Sequence, residues 1–282
     1  MNTRRKFLSQ TMVAGAALSL FPNLSFASQA EGRIKNIGYI SGILKNNFDR
    51  ENWREVLEKT VQFGYSEYEG GHLGDSPREF LRFCKDIGLK PIAGGVTFSE
   101  DMDKVQESLD NINAMEMKYG VTYWPWFVGG PFNLDDCNKS AEVLNKIGEL
   151  SKKHGLEFCW HNHNKEFVEM EDGFPFDYLM ENTEKDLVSS ELDVYWVAKG
   201  GANPIQLLQR YGKRIKILHV KDMAEDEDKS IICPGKGILD FTAIFNEAKR
   251  QNIKHYFVER DKAEDGLSCL EYSADFLQKL RF

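Results

Sequence analysis

Four short stretches in the second half of the chain combine side chains able to hold a cation and to move protons. They are Trp160-His161-Asn162-His163, Glu191-Leu192-Asp193-Val194, His219-Val220-Lys221-Asp222 and Val258-Glu259-Arg260-Asp261. Each closes or carries a β-rich run. Alternation with a period of two puts His161 and His163 on one side of their strand, and His219 and Lys221 on one side of theirs. Imidazole nitrogen combined with carboxylate oxygen suits Mn2+, Zn2+, Co2+ or Fe2+ more than Ca2+. Taken singly, a strand histidine is more often a hydrogen-bonded structural residue, and a strand-end aspartate often caps the next helix. Four such groups at the ends of four consecutive strands predict a metal centre.

Side chains so far apart in sequence need a scaffold that gathers them. From Arg33 onward, β-rich runs alternate with amphipathic helical runs. The strand candidates are Ile34–Ser41, Tyr65–Gly70, Leu89–Gly95, Val121–Phe127, Leu156–Asn162, Leu187–Val194, Arg214–Val220 and Lys254–Glu259. The helix candidates are Asn52–Phe63, Pro77–Ile87, Met102–Tyr119, Leu134–His154, Phe176–Glu181, Pro204–Tyr211, Phe241–Gln251 and Leu267–Leu280. Gly64, Gly88, Gly120, Gly155 and Gly212 read as helix ends that open the next strand. Strand and helix repeated eight times predict an α/β fold, a single (β/α)8 TIM barrel over residues 31–282. The rival is a doubly wound open sheet, but no G-x-G-x-x-G follows the first strand. A barrel demands catalytic residues at the C-terminal ends of several strands, which is where the four stretches lie.

The bulk numbers narrow the partners. The 282 residues carry 36 basic and 44 acidic side chains, a formal charge of −8. Residues 1–30 hold Arg4, Arg5 and Lys6 and no acid, so setting them aside leaves 33 against 44, or −11. Such a surface repels a phosphate backbone, so nucleic acid is not an expected partner. No run of eighteen apolar residues follows the N-terminus, so no stable membrane span is expected in the body. Residues 1–30 combine a basic start, an apolar stretch from Met12 to Phe21, and small residues around Ala27 and Ala30. They read as an export signal, cleaved after Ala27 or Ala30. Arg4-Arg5-Lys6-Phe7-Leu8 resembles a twin-arginine signal, which implies a periplasmic or exported protein that crosses the membrane folded. Cys84, Cys137, Cys159, Cys233 and Cys269 are odd in number with no C-x-x-C, so at least one thiol is unpaired within the monomer, and Cys159 reads as core.

The stretches HNHNKEF, ELDVYWVAKGG, RIKILHVKDM, PGKGILDF and HYFVERD together resemble the sugar-phosphate isomerase/epimerase family, the xylose-isomerase-like barrels. The resemblance covers essentially all of 31–282. It implies one divalent metal ion (Mn, Zn, Co, Fe or Mg) held by four residues from strands five to eight, usually Glu, Asp, His and Glu. Carried over, these are His161, Asp193, His219 and Glu259. The departure is strand five, where His161 stands at the usual Glu. That leaves His161 and His163 both open as the ligand and removes one negative charge from the site. Glu69 matches the family's acidic residue at the end of strand two. Trp124 and Trp126 read as a sugar-stacking wall. Gly235-Lys236-Gly237 reads as the loop after strand seven that lets backbone approach the ligand.

A metal on a ketone oxygen and a neighbouring hydroxyl acidifies the C–H between them, and a base takes the proton. His163, Glu69 and Glu259 are the candidate bases. Lys221 is the candidate to stabilise the oxyanion or protonate a leaving oxygen, and His163 and Lys221 also count as substrate contacts. The expected activity is an isomerase or epimerase acting on an unphosphorylated sugar or keto-sugar, since export separates the protein from cytoplasmic sugar phosphates. The alternative is a lyase or hydratase acting on 3-keto-glycosides through the same enediolate chemistry. A non-catalytic sugar-binding barrel and an endonuclease-like barrel are the readings from other classes. The expected partner is a small carbohydrate, with homo-oligomer formation left open.

Overall fold

The computed structural model describes residues 32–282, so the export signal read in residues 1–30 lies outside the described residues. Eight parallel strands close a barrel: β1 (Ile37–Ile40), β2 (Tyr65–Glu69), β3 (Lys90–Gly95), β4 (Tyr119–Thr122), β5 (Glu157–His161), β6 (Val188–Asp193), β7 (Ile215–Val220) and β8 (His255–Val258). Each pairs with its neighbours in sequence, and β1 closes the ring on β8. Helices alternate with them outside: α1 (Trp53–Gln62), α2 (Pro77–Ile87), α3 (Met102–Ala114), α4 (Leu134–Lys153), α5 (Pro175–Asn182), α6 (Val194–Lys199), α7 (Pro204–Tyr211), α8 (Phe241–Arg250) and α9 (Gly266–Lys279). This is the expected (β/α)8 barrel.

The helices form because their apolar residues recur at helical spacing and their ends are capped. In α1, Trp53, Val56, Leu57 and Thr60 are the buried residues. Burying each large apolar side chain stabilises by about 1.5–3 kcal/mol. Ser76 caps α2 by accepting from the Glu79 amide, and Asn133 with Asp136 forms a reciprocal capping box at α4. One core lies between helices and barrel; a smaller one inside the barrel joins Ala93, Tyr119, Val121, Cys159, Ile217 and Phe257.

Several local expectations are corrected. The fourth strand is Tyr119–Thr122, not Val121–Phe127, so Trp124, Trp126 and Phe127 lie beyond it. Correspondingly α3 ends at Ala114 rather than running to Tyr119, with Glu116 taking a positive φ of 53° in the connection. Gly120 is therefore a strand residue, and Gly212 caps α7 in the right-handed region at φ −52°. Val194 does not extend β6 but begins α6, which Asp193 caps by accepting from the Trp196 amide at 2.9 Å.

Cys233 and Cys269 form a disulfide between the segment after β7 and α9, while Cys84, Cys137 and Cys159 are buried free thiols. No described helix is long and apolar enough to cross a membrane.

Candidate metal centre

The register of the ladder sets the site. His161 pairs with Glu191 across β5–β6, and Asp193 pairs with His219 across β6–β7. Glu259 follows the last residue of β8, whose Val258 pairs with Val220 of β7. Pleat alternation then turns His161, Glu191, Asp193 and His219 into the barrel, near its C-terminal mouth. Ligand atoms from His161, Asp193, His219 and Glu259 all lie within 4.8 Å of one another. His161 Nε2 stands 3.9 Å from Asp193 Oδ2, and His219 Nδ1 stands 2.7 Å from Glu259 Oε2. Two imidazoles and two carboxylates at these spacings fit a divalent transition metal. Asp193 Oδ2 strengthens the fit: it is buried and accepts no aligned hydrogen bond, although Lys221 Nζ is 3.1 Å away.

Lys221 is fully buried, with its ammonium among Asp193, Glu259 at 3.0 Å and Asp261 at 2.9 Å. Burial opposes its charge, but the three carboxylates outweigh burial and hold the ammonium above its ordinary pKa. Burial likewise disfavours protonated His219, yet Glu191, Glu69 and Glu259 raise it well above the usual imidazole value. His161 goes the other way, lowered by burial and then by the neighbouring His219 and His163. Burial, followed by repulsion from Glu69, pushes Glu191 up to about 8. Burial raises Asp193 to about 6 against the pull of Lys221. Glu259 is held well below its ordinary value, because Lys221 and His219 outweigh its burial.

His161 and His163 face the same region, with ring centroids 5.0 Å apart, although His163 lies past the end of β5. His161 belongs to the four-residue cluster and His163 does not. His163 lines a cavity of about 520 Å3 at the mouth, together with Trp196, Lys45, Glu259, Arg260 and Asp261. Its Nδ1 is buried without a hydrogen-bond partner.

Glu69 closes β2 and is fully buried. Tyr123 donates to its Oε1 at 2.6 Å, and His219 Nε2 stands 3.0 Å from its Oε2. That engagement suits orienting His219. The aromatic wall is also redistributed. Trp126 is buried, stacks on Phe132 at 3.7 Å and donates to Glu166 at 2.7 Å, so it belongs to the core. Trp124 stays beside the site, 5.2 Å from the His163 ring.

The glycine loop closes on the chain's own Asp222 carboxylate instead of on a ligand. Asp222 accepts from the amides of Met223, Gly235, Gly237 and Leu239 at 2.8–3.2 Å. A Cβ on Gly237 would stand 2.3 Å from the Met223 carbonyl oxygen and 2.4 Å from the Asp222 carboxylate, which explains the glycine. Sequence reasoning passed over Glu191 and Trp196 as site residues. Glu191 shares strand parity with Asp193, and that signal was available. Trp196 comes to the mouth only because α6 turns it there.

A family model describing xylose isomerase-like TIM barrels matches residues 57–280. The chain belongs to that family. An inosose dehydratase from Clostridium beijerinckii is 30% identical over 211 residues, covering 67% of this chain and 65% of that protein. The chain thus spans less than two thirds of the length of that relative, and 53% of an inosose dehydratase from Clostridium botulinum. A sugar phosphate isomerase/epimerase from Parabacteroides distasonis superposes with a TM-score of 0.74 at 24% identity, over 91% of this chain and 98% of its own. The IOLI protein, whose structure holds a zinc atom, superposes at 0.68 and 17% identity, over 86% of this chain and 97% of its own. At such identities these structures establish the fold.

Proposed function

We propose that the chain is a divalent-metal-dependent enzyme that moves a proton at the carbon beside a carbonyl of an unphosphorylated sugar or keto-sugar, giving isomerisation or epimerisation. The observation that carries this is the convergence of His161, Asp193, His219 and Glu259 from four consecutive strand ends. A divalent cation there would polarise the carbonyl and an adjacent hydroxyl, acidifying the C–H between them. Zinc in the IOLI protein is consistent with such a group, and the identity of the ion here is open to measurement.

The chain's own residues then divide the work. His163 borders the mouth cavity with an unpartnered Nδ1, so it is placed to take or return the proton at substrate carbon or oxygen. Lys221, fixed by three carboxylates, presents a held ammonium for a developing oxyanion or a leaving oxygen. Trp196 and Trp124, on either side of His163, offer apolar faces to a sugar ring. The engagement of the Gly235–Gly237 amides by Asp222 supports a substrate without phosphate at that loop.

A second reading has its own support. The inosose dehydratase relatives favour loss of a β-oxygen as water after the same proton abstraction, with Lys221 protonating the leaving oxygen. A keto-cyclitol or a 3-keto-glycoside would then be the substrate.

We further propose that residues 1–30 direct export through a twin-arginine route, placing the mature chain in the periplasm or outside the cell. The Arg4-Arg5 pair supports this, and the Cys233–Cys269 disulfide suits an oxidising compartment.

The test combines metal analysis with incubation of free sugars, 3-keto-glycosides and inososes in D2O. Wild type should carry one metal and incorporate deuterium beside the carbonyl; an unsaturated product identifies the dehydratase reading. His163→Gln should keep the metal and lose about 10²–10⁴ in exchange rate. Asp193→Ala and His219→Ala should lose both metal and exchange. Stoichiometric metal in those two variants would refute the ligand assignment.

A further inference from the structure

Beneath the four-residue cluster lies a carboxylate that the chemistry above does not use. Glu191 is fully buried, and a single oxygen of it, Oε1, stands 3.1 Å from His161 Nδ1 and 3.0 Å from His219 Nε2. Its other oxygen, Oε2, is buried with no hydrogen-bond partner. Burying a carboxylate with one idle oxygen opposes folding, so packing and stability alone are a poor reason for the residue. The two histidines meet Glu191 through different ring nitrogens, and in each ring the opposite nitrogen faces the cluster. His161 turns Nε2 toward Asp193, and His219 turns Nδ1 toward Glu259.

An imidazole ligates through a lone pair, so the hydrogen of each ring must sit on the nitrogen facing away from the cation. We propose that Glu191 is a positioning residue shared by both histidines, an inference that rests on the metal reading above. Its Oε1 accepts the Nδ1–H of His161 and lies 3.0 Å from Nε2 of His219, whose hydrogen Glu69 Oε2 accepts at 3.0 Å. Glu191 Oε1 thereby fixes the His161 tautomer directly and, beside Glu69, favours the hydrogen of His219 on Nε2, which aims Nε2 of His161 and Nδ1 of His219 at a common point. Glu191 also sets a carboxylate one layer below the ligands, where a bound cation would favour its charged form. Strand parity explains how: Glu191 and Asp193 are two residues apart on β6, so one strand supplies both the ligand and the carboxylate behind its neighbours.

The experiment uses the full chain with zinc as probe, titrated against a chromophoric chelator, and follows the histidine ring nitrogens by 15N NMR. Wild type should bind one zinc with the hydrogen on Nδ1 of His161 and on Nε2 of His219. Glu191→Met, which removes the acceptor at similar volume, should weaken zinc about 10–100-fold and abolish the His161 Nδ1–H signal. Glu191→Gln keeps an acceptor oxygen but loses the charge; it should keep both tautomers while weakening zinc about threefold to tenfold. If the Met variant does not fold, the Gln variant carries the test. Wild-type affinity and unchanged ring signals in the Met variant, or wild-type affinity in the Gln variant, overturn the role. So do two zinc ions per wild-type chain, or complete zinc loss in the Gln variant, since either makes Glu191 a ligand. Absence of zinc binding by wild type removes the metal reading itself, a result separate from any difference between variants.

Discussion

Glu166 sits under the loop that carries His163, with both carboxylate oxygens engaged. Oε1 accepts from Trp126 Nε1 at 2.7 Å and Oε2 from the His163 amide at 3.1 Å. Those donors favour the charged form, but burial outweighs them and pushes the carboxyl from 4.5 up to about 7. A carboxyl raised in this way binds its proton more tightly in the folded chain than in the unfolded one. Its stabilising contribution is therefore fully present below about pH 4.5 and is lost as pH rises through about 7. That gap corresponds to about 3 kcal/mol. Relative to wild type, Glu166→Gln should gain about that much stability between pH 4.5 and pH 8, read from urea unfolding of both proteins at each pH. Parallel stability curves would mean that Glu166 titrates normally. The four candidate ligands were legible in the sequence because a barrel puts strand ends together, whichever residues lie between. Strand parity with Asp193 could have placed Glu191 inside the barrel, but its role and all of Glu166 were not legible, because a supporting carboxylate acts through what it touches, and only the fold sets those contacts.

At the scale of elements, the segment after β7 depends on one side chain. Asp222 gathers four backbone amides from Met223 to Leu239, and the disulfide from Cys233 to Cys269 ties the same segment to α9. Replacing the carboxylate leaves several buried or half-buried donors without an acceptor. Asp222→Ala should destabilise the chain by about 3 kcal/mol and speed hydrogen exchange at the Gly235 and Gly237 amides, while Asp222→Asn, which keeps one oxygen, should cost less. Exchange at those amides unchanged in the Ala variant would show that the disulfide alone holds the loop. The glycines there were legible as a close backbone approach to a ligand; that the backbone closes on an internal carboxylate was not, since Asp222 lies thirteen residues before Gly235. Apolar periodicity located α2 and α7 to the residue, because Pro77 and Pro204 start them and their apolar faces are regular. It failed at α6, where Val-Tyr-Trp-Val satisfies a strand pattern while the Asp193 cap turns the backbone into a helix. At β4 the run of aromatics after Thr122 extended the strand reading past its true end.

For the whole molecule, a closed barrel whose candidate ligands come from four strand ends would be loaded with metal only after it has folded. Under the proposed export, the route out of the cytoplasm would decide where loading happens. A twin-arginine route carries a folded barrel, so the ion can be acquired from the cytoplasmic pool before export, and the Cys233–Cys269 bond closes afterwards in an oxidising compartment. A general secretory route would deliver an unfolded chain, and both folding and metal selection would follow outside. Arg4 and Arg5 are the feature that separates these routes. Arg4→Lys combined with Arg5→Lys keeps the positive charge but removes the recognised pair. The doubly substituted precursor should remain in the cytoplasm at full length, folded and carrying metal, with the disulfide open. Wild type should appear outside, shortened to begin at Ser28 or Glu31. Fractionation followed by mass measurement and metal analysis of each pool reads all of these at once. Unimpaired export of the double variant, with metal found only in the exported pool, would assign the general secretory route and move metal selection outside the cytoplasm.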